Sequence, residues 1–264
     1  MSLFPHLLQQ MRDLSGENYV VISAPDSNTI KVMSAFKGDE CFSISQVSEH
    51  KIEIEFLAKC GGVSGTRNLL FIIDTSMHVG YTNIELIDAS NIIIQFPNDE
   101  EVLISNKKLN ILANGNTWYG KYGFVNKRMV ENYEKIMDFI HLSTNDYLRI
   151  IKGDNEKEKF KQHLIKFNIF NHIDANDETM TINVIFKLIQ EQFKSGRFLN
   201  KEIEKFEFYG ALLHNVYKGL LTHLDIKSDF ITFNYISNAS GINKRKKGTK
   251  RKKGKNSKKR VYLK

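Results

Sequence analysis

KIEIEFLAKCGGVSGTRNLLFIIDTSMHVGYTNIELID, residues Lys51 to Asp88, is the stretch whose reading decides the fold of this chain. Ile52, Ile54 and Phe56 alternate with Glu53, Glu55 and Leu57, the period of a strand. A glycine-rich turn follows, Gly61-Gly62-Val63-Ser64-Gly65. Leu69, Leu70, Ile72, Ile73 and Met77 then recur at mixed helical spacing, Gly80 stops the helix, and Tyr81 to Ile87 alternates again. The order is strand, glycine loop, helix, strand. A helix that starts from such a loop exposes amide donors without internal partners at the positive end of its dipole, an arrangement that holds a pyrophosphate.

Downstream lies NGNTWYGKYGF, Asn114 to Phe124, which closes on Tyr119-Gly120-Lys121-Tyr122-Gly123-Phe124. The pattern Y-x-K-x-G-F resembles the end of the cofactor-binding half of the GNAT N-acetyltransferase superfamily, where a helix C-terminus turns into a strand. The upstream loop is similar to the family's pyrophosphate loop, Q/R-x-x-G-x-G/A. Anchoring its first glycine on Gly65 puts Leu70 and Phe71 on the apolar positions that follow. Gly62 then stands where Gln or Arg is usual, and Arg67 where the second small residue is usual. An arginine there could pair with a phosphate, or could crowd the loop and close it. The resemblance spans residues 18–127.

It implies an acetyl-CoA site lined by Leu57, Gly62, Val63, Ser64, Gly65, Thr66 and Arg67. It also implies that Tyr119 protonates the leaving thiolate, a role suited to a phenol of pKa near 10. Glu53 and Glu55 share one side of their strand, and the family often takes its general base, for a protein or other amine acceptor, from a glutamate there. The bland alternatives are that Tyr119 and Trp118 only pack a helix end, and that the glutamates form an exposed polar face.

Outward from this centre, strand-like runs occupy Tyr19 to Ser23, Thr29 to Phe36, Cys41 to Val47 and Lys51 to Lys59, with turn-like separators at Pro25 to Asn28 and Lys37 to Asp39. This predicts an antiparallel meander. Leu3, Leu7, Leu8, Met11 and Leu14 predict a short amphipathic helix before it. Asn91 to Phe96 predicts a further strand. Glu100 to Leu112 reads as a strand and helix or as a helix alone. From about Val130 the spacing is helical: Tyr133 to Ile140, Phe160 to Ile169, Ile182 to Phe193 with Thr179 and Thr181 as candidate caps and a stop near Gly196, and Ile203 to Leu224. The expected fold is α+β: a mixed, mostly antiparallel sheet with flanking helices in residues 1–129, a small helical domain in 130–240, and a disordered basic tail in 241–264.

The chain has 264 residues and a net charge of +8, unevenly divided. Residues 244–264 hold thirteen Lys and Arg and no acid, so residues 1–243 carry −5. Lys244, Arg245, Lys246, Lys247, Lys250, Arg251, Lys252 and Lys253 form paired basic blocks. These read as a nuclear address, or as an arm that contacts nucleic acid phosphates or an acidic protein without base readout. The two cysteines, Cys41 and Cys60, are expected as reduced structural thiols in a reducing compartment, nucleus or cytoplasm. No run approaches the ~20 apolar residues of a membrane span. Three readings follow: an acetyl-CoA-dependent N-acetyltransferase with a nucleic-acid-binding tail; an inactive fold of that kind acting as a nucleic-acid-associated protein; and a virion component, suited by a composition rich in Lys, Asn and Ile.

Overall fold

The computed structural model describes residues 3–24, 27–60, 62–171, 180–193 and 198–236. Helix α1 (Phe4–Ser15) leads into four antiparallel strands, β1 (Tyr19–Ile22), β2 (Thr29–Ser34), β3 (Glu40–Ser48) and β4 (Lys51–Leu57). All four expected runs are therefore strands. Helix α2 (Gly65–Val79) crosses to β5 (Asn83–Ile87), which pairs with β4 in parallel through Ile52↔Ile84 and Ile54↔Leu86. The crossover helix is what permits this parallel pair, since antiparallel neighbours need only a turn.

A separate two-stranded ribbon follows, β6 (Asn91–Gln95) with β7 (Glu101–Ser105), and then α3 (Asn106–Asn114). The ambiguous stretch from Glu100 is thus a strand followed by a helix, divided at Ser105, whose side chain caps α3. After a 3₁₀ turn over Tyr119–Tyr122 comes the short strand β8 (Phe124–Val125). The chain then leaves the sheet, and its described residues form the helices α4 (Lys127–Glu131), α5 (Tyr133–Ile140), α6 (Thr144–Ile150), α7 (Asp154–Asn171), α8 (Ile182–Gln192) and α9 (Ile203–His223). It returns as β9 (Thr232–Tyr235), which inserts between β5 and β8, giving the order β1-β2-β3-β4-β5-β9-β8. The helices from α4 to α9 are an excursion between two neighbouring strands, and the strand at 232–235 crosses the division expected at residue 129.

One face of the sheet is apolar. Ile30, Val32, Ile44, Ile52, Ile54, Ile84 and Leu86 are buried on it, against Leu7 and Met11 of α1 and Leu69 and Ile72 of α2. Leu14 is exposed, so the stripe of α1 is shorter than its apolar spacing suggests. The helices close over a second, aromatic-rich part of the same core. Phe206, Tyr209, Leu213, Val216, Tyr217 and Leu220 line the buried side of α9 at helical spacing. Gly210 and Gly219 do not interrupt this helix. A Cβ on Gly210 would crowd Ile104 of β7, and one on Gly219 would collide with the Tyr147 hydroxyl.

The cysteines depart from expectation. Cys41 and Cys60 are joined in a disulfide, with α-carbons 5.2 Å apart. The β3–β4 pairing brings Phe42 opposite Leu57, and the Ala58 amide donates to the Cys41 carbonyl, so the start of one strand meets the end of the other. Strand register, which composition does not reveal, makes the bond. No described helix is long and apolar enough to cross a membrane. Pro25 and Asp26, Gly61, Thr179, Gly196 and the basic residues from Lys244 onward lie outside the described residues.

Candidate functional site

The site is built at the carboxyl ends of β4 and β5. Past Leu57 the chain turns tightly: Cys60 and Val63 exchange both backbone hydrogen bonds, at 3.1 and 2.7 Å. Gly62 takes a φ of +84°, a conformation open to glycine. Ser64 then caps α2, its hydroxyl accepting from the Arg67 amide at 3.3 Å. Asn68, almost wholly buried, fixes this first turn. Its Nδ2 donates to the Ala58 carbonyl at 2.9 Å, and its Oδ1 accepts from the Tyr19 hydroxyl at 3.0 Å. Burial raises the Tyr19 pKa, and the Arg67 guanidinium partly offsets that rise. Arg67 and Ser64 are exposed, and Val63, Gly65 and Thr66 are half-buried. The helix start, the hydroxyl of Ser64 and the charge of Arg67 therefore share one accessible end.

The tyrosine segment meets this end. Thr66 Oγ1 lies 3.1 Å from Tyr122 Oη, 56 residues away in the chain. Helix α3 stops at Gly115, and the Thr117 hydroxyl receives the Gly120 amide at 3.2 Å to open the 3₁₀ turn. Trp118 stands edge-on to Tyr119 and Tyr122, with centroids 4.8 and 4.9 Å apart, and Lys121 Nζ sits 5.1 Å from the Trp118 and Tyr122 rings. Gly123, at φ +97°, reverses the chain into β8. Tyr119 is half-buried. Burial, reinforced by the Asp88 carboxylate, pushes its pKa up to about 12. Full proton transfer from such a phenol to a thiolate whose thiol has pKa ~8.5 is uphill, which suits the group to hydrogen-bond donation.

A buried polar cluster adjoins Tyr119. Asp88 follows β5 and continues the inward register of Ile84 and Leu86. Its Oδ1 accepts from the Ser90 amide at 3.1 Å and hydroxyl at 2.6 Å, while Oδ2 is buried with no hydrogen-bond partner. Burial raises the Asp88 pKa, with the Ser90 bonds and the Lys107 charge opposing. Lys107, buried in α3, donates at 2.9 Å both to Asp229 Oδ2 and to the Phe230 carbonyl. Tyr217 of α9 donates to Asp229 Oδ1 at 2.5 Å. Burial acts to raise the Asp229 pKa, but the bonds from Tyr217 and Lys107 outweigh it and hold that pKa down. Sequence reasoning missed Asp88, Lys107, Tyr217 and Asp229. The one signal was Lys107 four residues before Ile111, on the inward side of an amphipathic helix.

Glu53 and Glu55 stand elsewhere. They share the outer face of the sheet with Lys51 and Glu85, which pair at 2.7 Å, opposite to the face of Ile52 and Ile54. Glu53 is half-buried between Ser45 and Glu85 in the register. Glu55 is exposed and accepts a hydrogen bond from Ser45. The structure thus unites the α2 start with the Tyr119–Phe124 segment, but links neither glutamate to Tyr119. Among the described residues no group of three His, Cys, Asp or Glu could hold a metal ion. Comparison with family models, with curated proteins and with solved structures found no match.

Proposed function

We propose that this protein is an acetyl-CoA-dependent N-acetyltransferase of the GNAT kind, carrying a long helical excursion and a basic tail that binds nucleic acid or an acidic partner. The observation that carries the reading is the contact between Thr66 and Tyr122. Two segments flagged separately in the sequence meet at one place. The place suits a ligand: β4 and β5 are the parallel pair of the sheet, and ligands favour the carboxyl ends of strands where connections change direction. The α2 amides and Arg67 would hold the pyrophosphate, and the Tyr119 hydroxyl would donate to the sulfur of the leaving thiolate.

Calorimetric titration of the full chain with acetyl-CoA tests this. Saturable binding is expected, lost in Gly65→Glu, which brings negative charge to the helix start. A Cβ on Gly65 meets only ordinary contacts, to Ala58 and Lys59, so this variant should fold. No heat and no thermal shift in the wild type would remove the enzyme reading. In an active protein, Tyr119→Phe should lower turnover by ~10²-fold or more with little change in cofactor affinity.

The second reading is a fold of this kind without catalysis. The position of Glu53 and Glu55 on the outer face favours it, since the family-like base is then not beside Tyr119. Acetyl-CoA binding without turnover on any amine would select it.

A further inference from the structure

Far from the α2 loop in sequence, the helical excursion encloses a cavity of about 380 Å³. It lies between the end of α6, the turn at 151–153, the first turns of α7 and the last turns of α9. Its volume is in the range of small-molecule sites. One wall is apolar, from Ile150, Ile151 and Phe160. Lys152, Lys159 and Lys218 surround it, and Glu156 is the one carboxylate among the described lining residues, itself paired with Lys159 at 3.3 Å. This positive rim sits on a body, residues 1–243, whose net charge is −5. The 18-residue helix α7 starts beside it, after Gly153 at φ +90°, with Asp154 and Glu156 in its first turn.

Tyr147 makes this more than a charged patch. Only 4% of it is exposed, and its ring is held edge-on between Phe139 and Phe160, at 5.4 and 4.6 Å. Its hydroxyl reaches the cavity wall at Gly219, where the missing side chain leaves it room. No described residue hydrogen-bonds to that hydroxyl. A rigidly held donor therefore faces a positively charged, half-apolar cavity. Asn215 and Thr222 add hydrogen-bonding groups.

We propose that this cavity binds a small phosphate monoester with an apolar body, of nucleoside monophosphate size. The lysines take the phosphate, the Tyr147 hydroxyl donates to one of its oxygens, and the body lies against Ile150 and Phe160. The site is independent of the acetyl-CoA reading.

The test is a titration of the full, ¹⁵N-labelled chain with adenosine monophosphate, with inorganic phosphate and with adenosine, followed through the amides of Tyr147 and Gly219. The expected result is saturable shifts at both positions with the monophosphate, and weaker binding of either fragment. Lys218→Glu, at an exposed position, should weaken binding roughly tenfold or more. Tyr147→Phe, which keeps the packed ring, should weaken it roughly threefold to tenfold without lowering the melting temperature. Binding to the basic tail moves other amides and survives both substitutions. The proposal is overturned if Tyr147 and Gly219 do not respond at millimolar ligand, if Lys218→Glu binds as the wild type does, or if phosphate or adenosine alone binds as tightly as the ester.

Discussion

Two junctions in this molecule are each held by a buried polar side chain, and they are built differently. At the β4–α2 junction the anchor is neutral: Asn68 joins Ala58 and Tyr19 through uncharged hydrogen bonds, and the helix start beyond it stays accessible. At the α3–α9 junction the anchor is ionic: Lys107, Asp229 and Tyr217 tie α3, α9 and the approach to β9 together. The first arrangement leaves helix-terminal amides and Arg67 able to meet a ligand. The second uses its charges on one another. A buried ion pair contributes little net stability but costs much when one partner is removed. The first junction is therefore open to a ligand, and the second fastens the helical excursion.

The harshest break is Lys107→Met. It leaves Asp229 without its lysine partner and the Phe230 carbonyl without its donor. Asp229 is 31% exposed, so a loss of about 2–3 kcal/mol, below that for a fully buried pair, is expected in denaturant unfolding, with acetyl-CoA affinity of the folded fraction unchanged. A loss under 1 kcal/mol would mean that the cluster does not hold the helices to the sheet.

A gentler break is Asn68→Ala. It strips the donor from the Ala58 carbonyl and the acceptor from Tyr19, at about 1–3 kcal/mol. Here ligand affinity should also fall, because the first turn of α2 loses its fixed position. If stability falls and affinity does not, the neutral anchor has no part in the site.

The smallest effect sharpens the contrast through pH. Asp229 has a lowered pKa, so its contribution is present above the ordinary carboxyl value and is lost as pH falls through the folded pKa. Asp88 has a raised pKa, so its buried charge opposes folding at neutral pH, and that penalty disappears as pH falls below the ordinary carboxyl value. Asp88→Asn should therefore be slightly stabilising near neutral pH, with stability flatter above the carboxyl range and little changed in acid. Thermal melts across pH would show it. A destabilised variant at neutral pH would mean that the Asp88 charge has a favourable partner.

How far each element could be read in advance follows from what fixed it. Strands β2, β4 and β5 show period two because one side of each is packed in the core, and that pattern is local. α2 was equally plain, framed by Ser64 and Gly80. β9 was not. Thr-Phe-Asn-Tyr is four residues long, and only its pairing with β5 and β8 makes it a strand. α6 has no local signature for the same reason: its seven residues bury only Thr144 and Tyr147. In the site, the α2 start and Tyr119 were legible as motifs. Tyr122 as the contact to Thr66, and Asp88 as the carboxylate beside Tyr119, were not.

The sequence by itself determined the α+β class, the meander, the glycine loop ahead of a helix, and the concentration of positive charge after residue 243. These depend on spacing and composition, which act within a few residues. The tertiary structure alone decided the parallel pairing of β4 with β5, the return of β9 into the sheet, the Cys41–Cys60 bond, and the face on which Glu53 and Glu55 stand. It also decided that Lys107, Asp229 and Tyr217 would meet in one partly buried place. Each of these joins groups distant in the chain through strand register or helix packing. Such contacts exist only once the whole core has closed, so no local pattern records them.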